Sequence, residues 1–579
     1  WSSRAAGKPF ARVTACEEAR AERPRALLAL GLAQVVEQLD QGRPGWRGSR
    51  LGVVIGTSSG GLPALERAMG EGAEVWEKSG YFSALSAVEP TLGRAPERLV
   101  SLYAACASST LAIGLGLRWL ELGEAELVIV GGYDAESDWV CAGFDALKAT
   151  SAAYPRPFRA ERDGMALGEG VALLALAPDA NKAFGFVRGF AATTDGVHIT
   201  APDRTGRSLA RAARLALTEA ELTPQQIGFV SAHGTGTAFN DAAEAAALGL
   251  VFDSLAKPPA LHAFKPLVGH TLGAAGALEA LAALSALEQG VLPASLSPGT
   301  DMPELGARLL ARNEAAPVEH CLKLSTAFGG ANAALVLSRS HAPAVTRVAR
   351  PVHVATVGAL CSELELGRVE SLLVAPVARL PRSDELSSLA VAASAEALRG
   401  GVSLDRARIG VVVGSATSSL EACADFSSRI LERGPEQAEP RRFPATSPNA
   451  CAGHVAIAFG LGGPSHAVGA GGGAAFEALE VACDWLSAGD ADAMLVVVAE
   501  HSGPTANRVL AAAGLRQASS VAVALLLTSE PSGPRLDRAL ARATAAKSAV
   551  DGGIYGLLAW AHAAGLPGAE AFGSVRPPE

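Results

Sequence analysis

The chain has 579 residues, 49% of them hydrophobic and only 18% charged, with a formal net charge of −9. That length exceeds what one hydrophobic core serves, so two or more domains are expected, on sheets covered by helices on both faces. An acidic chain offers no footprint for nucleic acid, and the longest apolar stretch, Leu272 to Leu287, is interrupted by Glu279 and is too short to span a bilayer. The eight cysteines show no paired spacing, which argues against a disulfide framework and for a reducing, cytoplasmic compartment. No C-x-x-C or H-E-x-x-H pattern for a metal occurs.

The first apolar run, Leu51 to Ile55, ends in Gly56-Thr57-Ser58-Ser59 and reads as a buried strand. Leu99 to Ala105 is another, with no breaker in it. Cys106 follows, and Ala107 to Leu115 opens a helix with small residues where the chain must turn sharply. A cysteine at a strand-to-helix elbow points its sulfur at the helix N-terminus, where the dipole and free N–H groups favour thiolate. That arrangement makes a nucleophile for acyl transfer, although a lone cysteine there is more often a small core residue.

Downstream motifs reverse those odds. Arg156-Pro157-Phe158 precedes Arg162-Asp163-Gly164-Met165, which runs on to Gly168-Glu169-Gly170. Arg204, Arg207, Arg211 and Arg214 follow at spacings of three, four and three. They share one helical face, which suits an acidic partner or, equally, plain solvent. After the strand Ile227 to Val230 comes Ser231-Ala232-His233-Gly234-Thr235-Gly236-Thr237, with Asn240, Asp241 and Glu244 beyond. Glycines there let the backbone approach a ligand closely, and two threonine hydroxyls can hydrogen-bond an amide-bearing chain. Lys265-Pro266-Leu267-Val268-Gly269-His270-Thr271 then leads through Gly273-Ala274-Ala275-Gly276 into an Ala/Leu-rich helix.

At Cys106, His233 and His270, in that order and in those frames, the chain resembles the β-ketoacyl-acyl carrier protein synthases, the condensing enzymes of the thiolase superfamily. Arg156-Pro157-Phe158, the segment from Arg162 to Gly170, and Phe328-Gly329-Gly330-Ala331-Asn332 match as well. The resemblance implies an α/β protein with the thiolase-like layered α/β/α/β/α fold. It also implies decarboxylative condensation of an acyl group held on Cys106 with a malonyl unit, the acyl chain growing by two carbons. His233 and His270 would be neutral donors to the developing enolate, and Lys265 would support them by pairing with Glu244. Thr235 and Thr237 would hold the amides of a phosphopantetheine arm. Backbone N–H groups of Cys106 and of the loop from Thr326 to Phe328 would form a separate oxyanion hole. Thr326 and Met165 stand where the family commonly has phenylalanines, which implies altered gating. The arm belongs to an acyl carrier protein partner, for which the four arginines are a candidate docking patch. No dissociable cofactor, metal, nucleic acid or membrane is implied. The family usually opens with an apolar strand ahead of the residues that begin this chain at Trp1-Ser2-Ser3-Arg4, so that strand is expected to be missing.

A second copy follows. Leu51 to Ser59 recurs as Ile409 to Thr417, and Arg118-Trp119-Leu120 with Gly123 recurs as Asp484-Trp485-Leu486 with Gly489. Aligning the tryptophans gives an offset of 366 (485 − 119), which puts Gly472 in the cysteine slot. Val521 to Leu527 matches Val171 to Leu176, and no second histidine motif follows. His562 reads as an ordinary structural residue. The reading is a catalytic domain over 1–340, a linker over 341–351 and an inactive, shortened copy over 352–579. That half resembles the chain length factors of type II polyketide synthases, although these commonly carry glutamine in the cysteine slot. The copy would replace a partner subunit within one chain as a pseudo-heterodimer, or the protein would form a homodimer. Elongation of a polyketide or polyene chain is the leading reading. The alternatives are primary fatty-acid elongation with a decayed second half, and a non-catalytic scaffold that binds carrier proteins.

Overall fold

A computed structural model describes residues 2–3, 8–536 except 73, 180–181, 304, 361–369, 376–382, 400–403, 470 and 516–519, and Leu557. His562 lies outside the described residues. No helix of the described residues is long and apolar enough to cross a membrane.

The first copy begins with α1 (Arg23–Gly42) and the strands β1 (Leu51–Gly56) and β2 (Arg98–Tyr103). Next come α2 (Ser108–Glu121), β3 (Leu127–Asp134), α3 (Asp138–Ala146) and β4 (Gly170–Leu176). Its second half holds β5 (Phe186–Thr194), α4 (Arg207–Glu219), β6 (Phe229–Ser231), α5 (Ala238–Phe252) and β7 (Ala260–His262). It ends with α6 (Ala275–Gln289), β8 (Arg308–Leu309), β9 (His320–Thr326) and β10 (Ala331–Ser338). The second copy contributes β11 (His353–Leu360), α7 (Glu385–Leu398), β12 (Ile409–Gly414), α8 (Ala450–Phe459) and β13 (Ser465–Val468). It closes with α9 (Ala474–Ala488), β14 (Ala493–Glu500) and β15 (Val521–Thr528).

Two large sheets result. One has six strands in the order β8-β7-β6-β9-β10-β5, all from the first copy. The other has nine, in the order β11-β15-β14-β12-β13-β2-β1-β3-β4, and runs through both copies. The helices α2 and α6 pack between the sheets, with α1 and α4 on outer faces. This is the layered α/β/α/β/α arrangement. Continuous apolar burial explains why β1, β3, β12, β14 and β15 form where they do: every residue in each is buried, as strands covered on both faces require.

The nine-stranded sheet has an internal two-fold. Outward from its centre, β2, β1, β3 and β4 are matched by β13, β12, β14 and β15. The centre is the antiparallel pair β2 and β13, where Leu102 faces Val468, two residues that differ by 366 (468 − 102). The sequence offset is therefore the structural one, and the axis passes through this pair. β3 and β14 obey the same offset, and Gly472 lies in the turn that leads into α9 as Cys106 lies in the turn that leads into α2. Facing Asp134 with Gly170 and Glu500 with Val521 shifts the sequence match of the fourth strands by one residue. Beyond them the copies differ. β11 pairs antiparallel with β15, while among the described residues no strand of the nine-stranded sheet pairs with the outer edge of β4.

Buried polar contacts lock the copies together. The Trp119 Nε1–H donates to Asp484 at 2.8 Å, and the Tyr103 hydroxyl donates to the Gly469 carbonyl at 2.8 Å. Arg118, fully buried, is bracketed by Glu121, Glu219 and the second copy's Asp490 at 2.7 to 2.8 Å. Arg347, in the segment joining the copies, pairs with Glu121 and Glu219 in the same cluster. Removing one cation here leaves carboxylates without their main compensation, which costs about 3–5 kcal/mol for a buried pair. Arg118→Ala should therefore lower the thermal melting temperature clearly; an unchanged melting curve would show that the cluster contributes nothing to holding the copies together.

Candidate active site

β2 ends at Tyr103, and the chain turns through Ala105–Ala107 into α2. Ala105 has φ 46°, a left-handed conformation that costs a residue with a Cβ about 1–2 kcal/mol. Ser108 holds the turn: its hydroxyl accepts from the Ala104 N–H at 2.9 Å and donates to the Ala105 carbonyl at 2.7 Å. Gly56 is required beside it, because a Cβ there would fall 2.6 Å from the Ser108 carbonyl carbon. At the end of β3, Asp134 accepts from the Thr57 hydroxyl at 2.7 Å, the Ser58 and Ser59 N–H groups at 3.0 and 2.9 Å, and the Gly273 N–H at 2.6 Å. One carboxylate thus ties the loop behind the elbow to the loop that carries His270.

The three residues singled out by sequence converge. The His270 Nε2 lies 3.1 Å from the Cys106 Sγ. The sulfur and one nitrogen of each imidazole lie within 4.8 Å of one another, and the rings meet edge to face at 5.3 Å. All three side chains are buried. Partners fix both tautomers. The Lys265 ammonium, which can only donate, lies 3.3 Å from the His233 Nδ1, and the Leu272 N–H donates to the His270 Nδ1 at 3.2 Å. Each Nδ1 is therefore the acceptor and each Nε2 carries the hydrogen. Burial, followed by the positive charge of Lys265, holds both imidazoles well below their ordinary titration range, so they are neutral donors.

Burial also acts on Cys106, against the sequence expectation of a favoured thiolate. Removal from water pushes the Cys106 thiol up to about 12, with the charge of Lys265 pulling the other way. The resting group is a thiol, and the His270 Nε2–H on its sulfur stabilises the anion as it forms. Cys, His and His would also suit three positions of a soft metal, but the buried Lys265 ammonium against His233 opposes a resident dication.

Several expected pairings are redrawn. Lys265 pairs with Glu279 at 2.5 Å, not with Glu244. Glu244 instead accepts from the His233 and Gly234 N–H groups at 2.6 and 2.9 Å and shapes the histidine loop. Lys323 on β9 pairs with the other oxygen of Glu279 at 2.7 Å, making a buried Lys265–Glu279–Lys323 chain that the sequence reading missed. Its signals were a lysine inside the apolar run Cys321-Leu322-Lys323-Leu324 and a glutamate inside an Ala/Leu helix. Thr235 and Thr237 hydrogen-bond each other at 2.9 Å. The Thr326 hydroxyl donates to the Asn240 Oδ1 at 2.6 Å, tethering β9 to α5. Met165 is buried in the core shared by the two copies, and the Phe328 ring packs 5.6 Å from Phe144.

The four arginines do not form one basic face. Arg204 precedes α4 and stacks on Phe239, while Arg207 opens the helix. Arg211 spends its guanidinium on the carbonyls of Ala407, at 2.9 Å, and Gly462 in the second copy, and is an intercopy clamp. Arg214 is exposed and donates to the Leu250 carbonyl. Only Arg204, Arg207 and Arg214 are left to meet a partner.

The N-terminal domain model of the β-ketoacyl synthases matches residues 11–182 and again 375–521, and their C-terminal domain model matches 184–298. The doubled N-terminal match agrees with the two related halves of the nine-stranded sheet, and the C-terminal match falls on the part of the chain that forms much of the six-stranded sheet. The ketoacyl synthase alpha subunit of the tetracenomycin polyketide synthase from Streptomyces glaucescens is 33% identical over 322 residues, 50% of this chain and 75% of that one. Among solved structures, the PfaC keto synthase-chain length factor aligns over 86% of this chain and 69% of its own, with a TM-score of 0.68 at 17% identity, a likeness of fold. The ketosynthase ApeO, solved in complex with its chain length factor ApeC from Xenorhabdus doucetiae, aligns over 58% of this chain and 88% of its own, with a TM-score of 0.52 at 29% identity. With its first copy carrying the cysteine and both histidines and its second copy paired with it across β2 and β13, the chain belongs to the β-ketoacyl synthase family.

Proposed function

We propose that Cys106 accepts an acyl group from an acyl carrier protein and that His233 and His270 drive its condensation with malonyl carried on a second one. The observation that carries this reading is the convergence of a buried cysteine with two neutral imidazoles whose Nε2–H groups are fixed by their Nδ1 partners. In the first step the sulfur attacks the thioester carbonyl and the carbonyl electron pair moves onto oxygen. Collapse of that intermediate expels the carrier thiol, which leaves with the proton given up by Cys106. In the second step malonyl loses carbon dioxide, and its thioester enolate oxygen is held by the two Nε2–H donors. The enolate carbon attacks the acyl-Cys106 carbonyl and expels Cys106 as a thiolate, which takes up a proton from water to restore the thiol, giving a β-ketoacyl chain two carbons longer. Prearranged donors of this kind each contribute on the order of 100-fold in rate.

The division of labour follows the copies: residues 1–340 carry the chemistry, 341–351 join the copies, and 352–579 serve as the packing partner. Gly472 gives the second copy no nucleophile. Polyketide or polyene elongation is favoured over primary fatty-acid elongation, because a fused inactive partner suits a chain-length-setting pair. The retained cysteine and histidines speak against a mere scaffold.

The test is intact-protein mass after incubation with acyl-carrier protein and then malonyl-carrier protein. Wild type should gain one acyl group and release β-ketoacyl-carrier protein, and Cys106→Ala should do neither. A folded wild type that binds carrier protein and gains no adduct would sink the reading. The raised thiol sets a second expectation: its thiolate fraction grows as pH rises toward 12. Iodoacetamide labelling of Cys106, followed by peptide mass, should accelerate about tenfold per pH unit from pH 7 to 9. A plateau beginning below pH 8 would mean that the resting site already holds a thiolate.

A further inference from the structure

The second copy has no cysteine or histidine of its own at the elbow, yet one of its side chains reaches the loop beside the first copy's nucleophile. Asn449 is buried at the start of α8. Its Nδ2–H donates across the interface to the Phe328 carbonyl at 2.8 Å, and its Oδ1 accepts from the Ser447 hydroxyl at 2.6 Å. The hydroxyl fixes which end of the amide faces the loop, so the donor is aimed and not free to flip.

Further contacts hold the loop. The Gly329 N–H donates to the Ile199 carbonyl at 2.7 Å. Gly329 itself has φ 82°, and a Cβ on it would fall 2.7 Å from the Asn449 Nδ2. A Cβ on Gly453 of α8 would fall 2.7 Å from the Gly329 Cα, so two glycines permit the helix to press on the loop. The Phe328 ring is held 6.4 Å from Phe443, also of the second copy. Among the described residues no acceptor takes the Phe328 N–H, and this segment lies against the Cys106 turn.

We propose that Asn449 is a positioning residue for acyl transfer: by gripping the Phe328 carbonyl it aims the Phe328 N–H at the oxyanion formed when Cys106 attacks the thioester. The inference rests on the reading of Cys106 as the acyl acceptor. It gives the inactive copy a part in the chemistry of the active one, beyond packing. It also predicts which steps need it. Acyl transfer passes through an oxyanion. Alkylation by iodoacetamide is a direct displacement with none, and malonyl decarboxylation relies on His233 and His270.

The experiment compares wild type with Asn449→Ala and Asn449→Asp in the full chain, and with Tyr81→Phe as control. Tyr81 makes an interface hydrogen bond to the Thr446 carbonyl at 2.8 Å, and no hydrogen bond or ring contact joins it to the Phe328 loop. Three rates are read: acylation of Cys106 by acyl-carrier protein, its alkylation by iodoacetamide, and carbon dioxide release from malonyl-carrier protein. The expected result is a fall of about 10- to 100-fold in acylation for both Asn449 variants, with the other two rates unchanged. Tyr81→Phe should lower the melting temperature and spare the ratio of acylation to alkylation. Acylation unchanged in Asn449→Asp, or all three rates falling together in both variants, would overturn the inference. If one variant fails to fold, the other decides. A wild type that takes no acyl group on Cys106 would instead overturn the reading of the site itself.

Discussion

The structure depends on one short antiparallel pairing, β2 against β13. β2 leads into Cys106, and without β13 it would be the edge of a four-stranded sheet, with its ladder groups open beside that cysteine. Unpaired edges are liabilities that folds cover or pair. Here the cover is a second copy of the same half-domain, placed on a two-fold that passes between Leu102 and Val468. The axis lies within the N-terminal sheet, so the elements that complete the pairing are the N-terminal ones of each copy. The six-stranded sheet, which brings in both histidine loops, is built from the first copy alone among the described residues.

Burial sets the chemistry of that site in two opposed ways. It keeps the Cys106 proton on and both imidazoles neutral, which slows formation of the anion. The same dry surroundings make each Nε2–H a stronger donor to charge that develops during reaction, because little water competes for it. Lys265 acts through this balance. Held by Glu279, it fixes the His233 tautomer and adds positive potential near the sulfur, without reaching the reacting atoms in a bonded role. The chain Lys265–Glu279–Lys323 shows how a buried charge is kept: each ammonium shares one carboxylate, and the Lys265 ammonium also donates to the His233 carbonyl.

The interface between copies sets buried polar contacts within a continuous apolar core. Arg118 and Trp119 on α2 both reach second-copy carboxylates, and Arg211 on α4 reaches second-copy carbonyls. A charge buried with partners on both sides fixes register more than it adds stability. Register matters here, since a slip of β13 along β2 would move α8 off the loop at Phe328 and Gly329.

Much of this was legible in the sequence because it is local. A strand, a cysteine and a run of small residues make an elbow wherever they occur, and the spacing of the two tryptophans fixed an offset that the β2–β13 pairing reproduces to the residue. The histidine motifs announced themselves through glycines and flanking strands. What the sequence could not decide are partners distant in the chain. Glu244 and Glu279 are equally acidic on paper, and only packing shows that Lys265 reaches the second while backbone N–H groups take the first. Arg211 looks like its neighbours at helical spacing, and only the position of the second copy turns it inward. The sequence by itself picked out the cysteine, the two histidines that meet it and the repeat, since these are matters of residue type and spacing. Only the tertiary structure decided the protonation state of the cysteine and the pairing of the buried charges, because both are set by what surrounds a group in space.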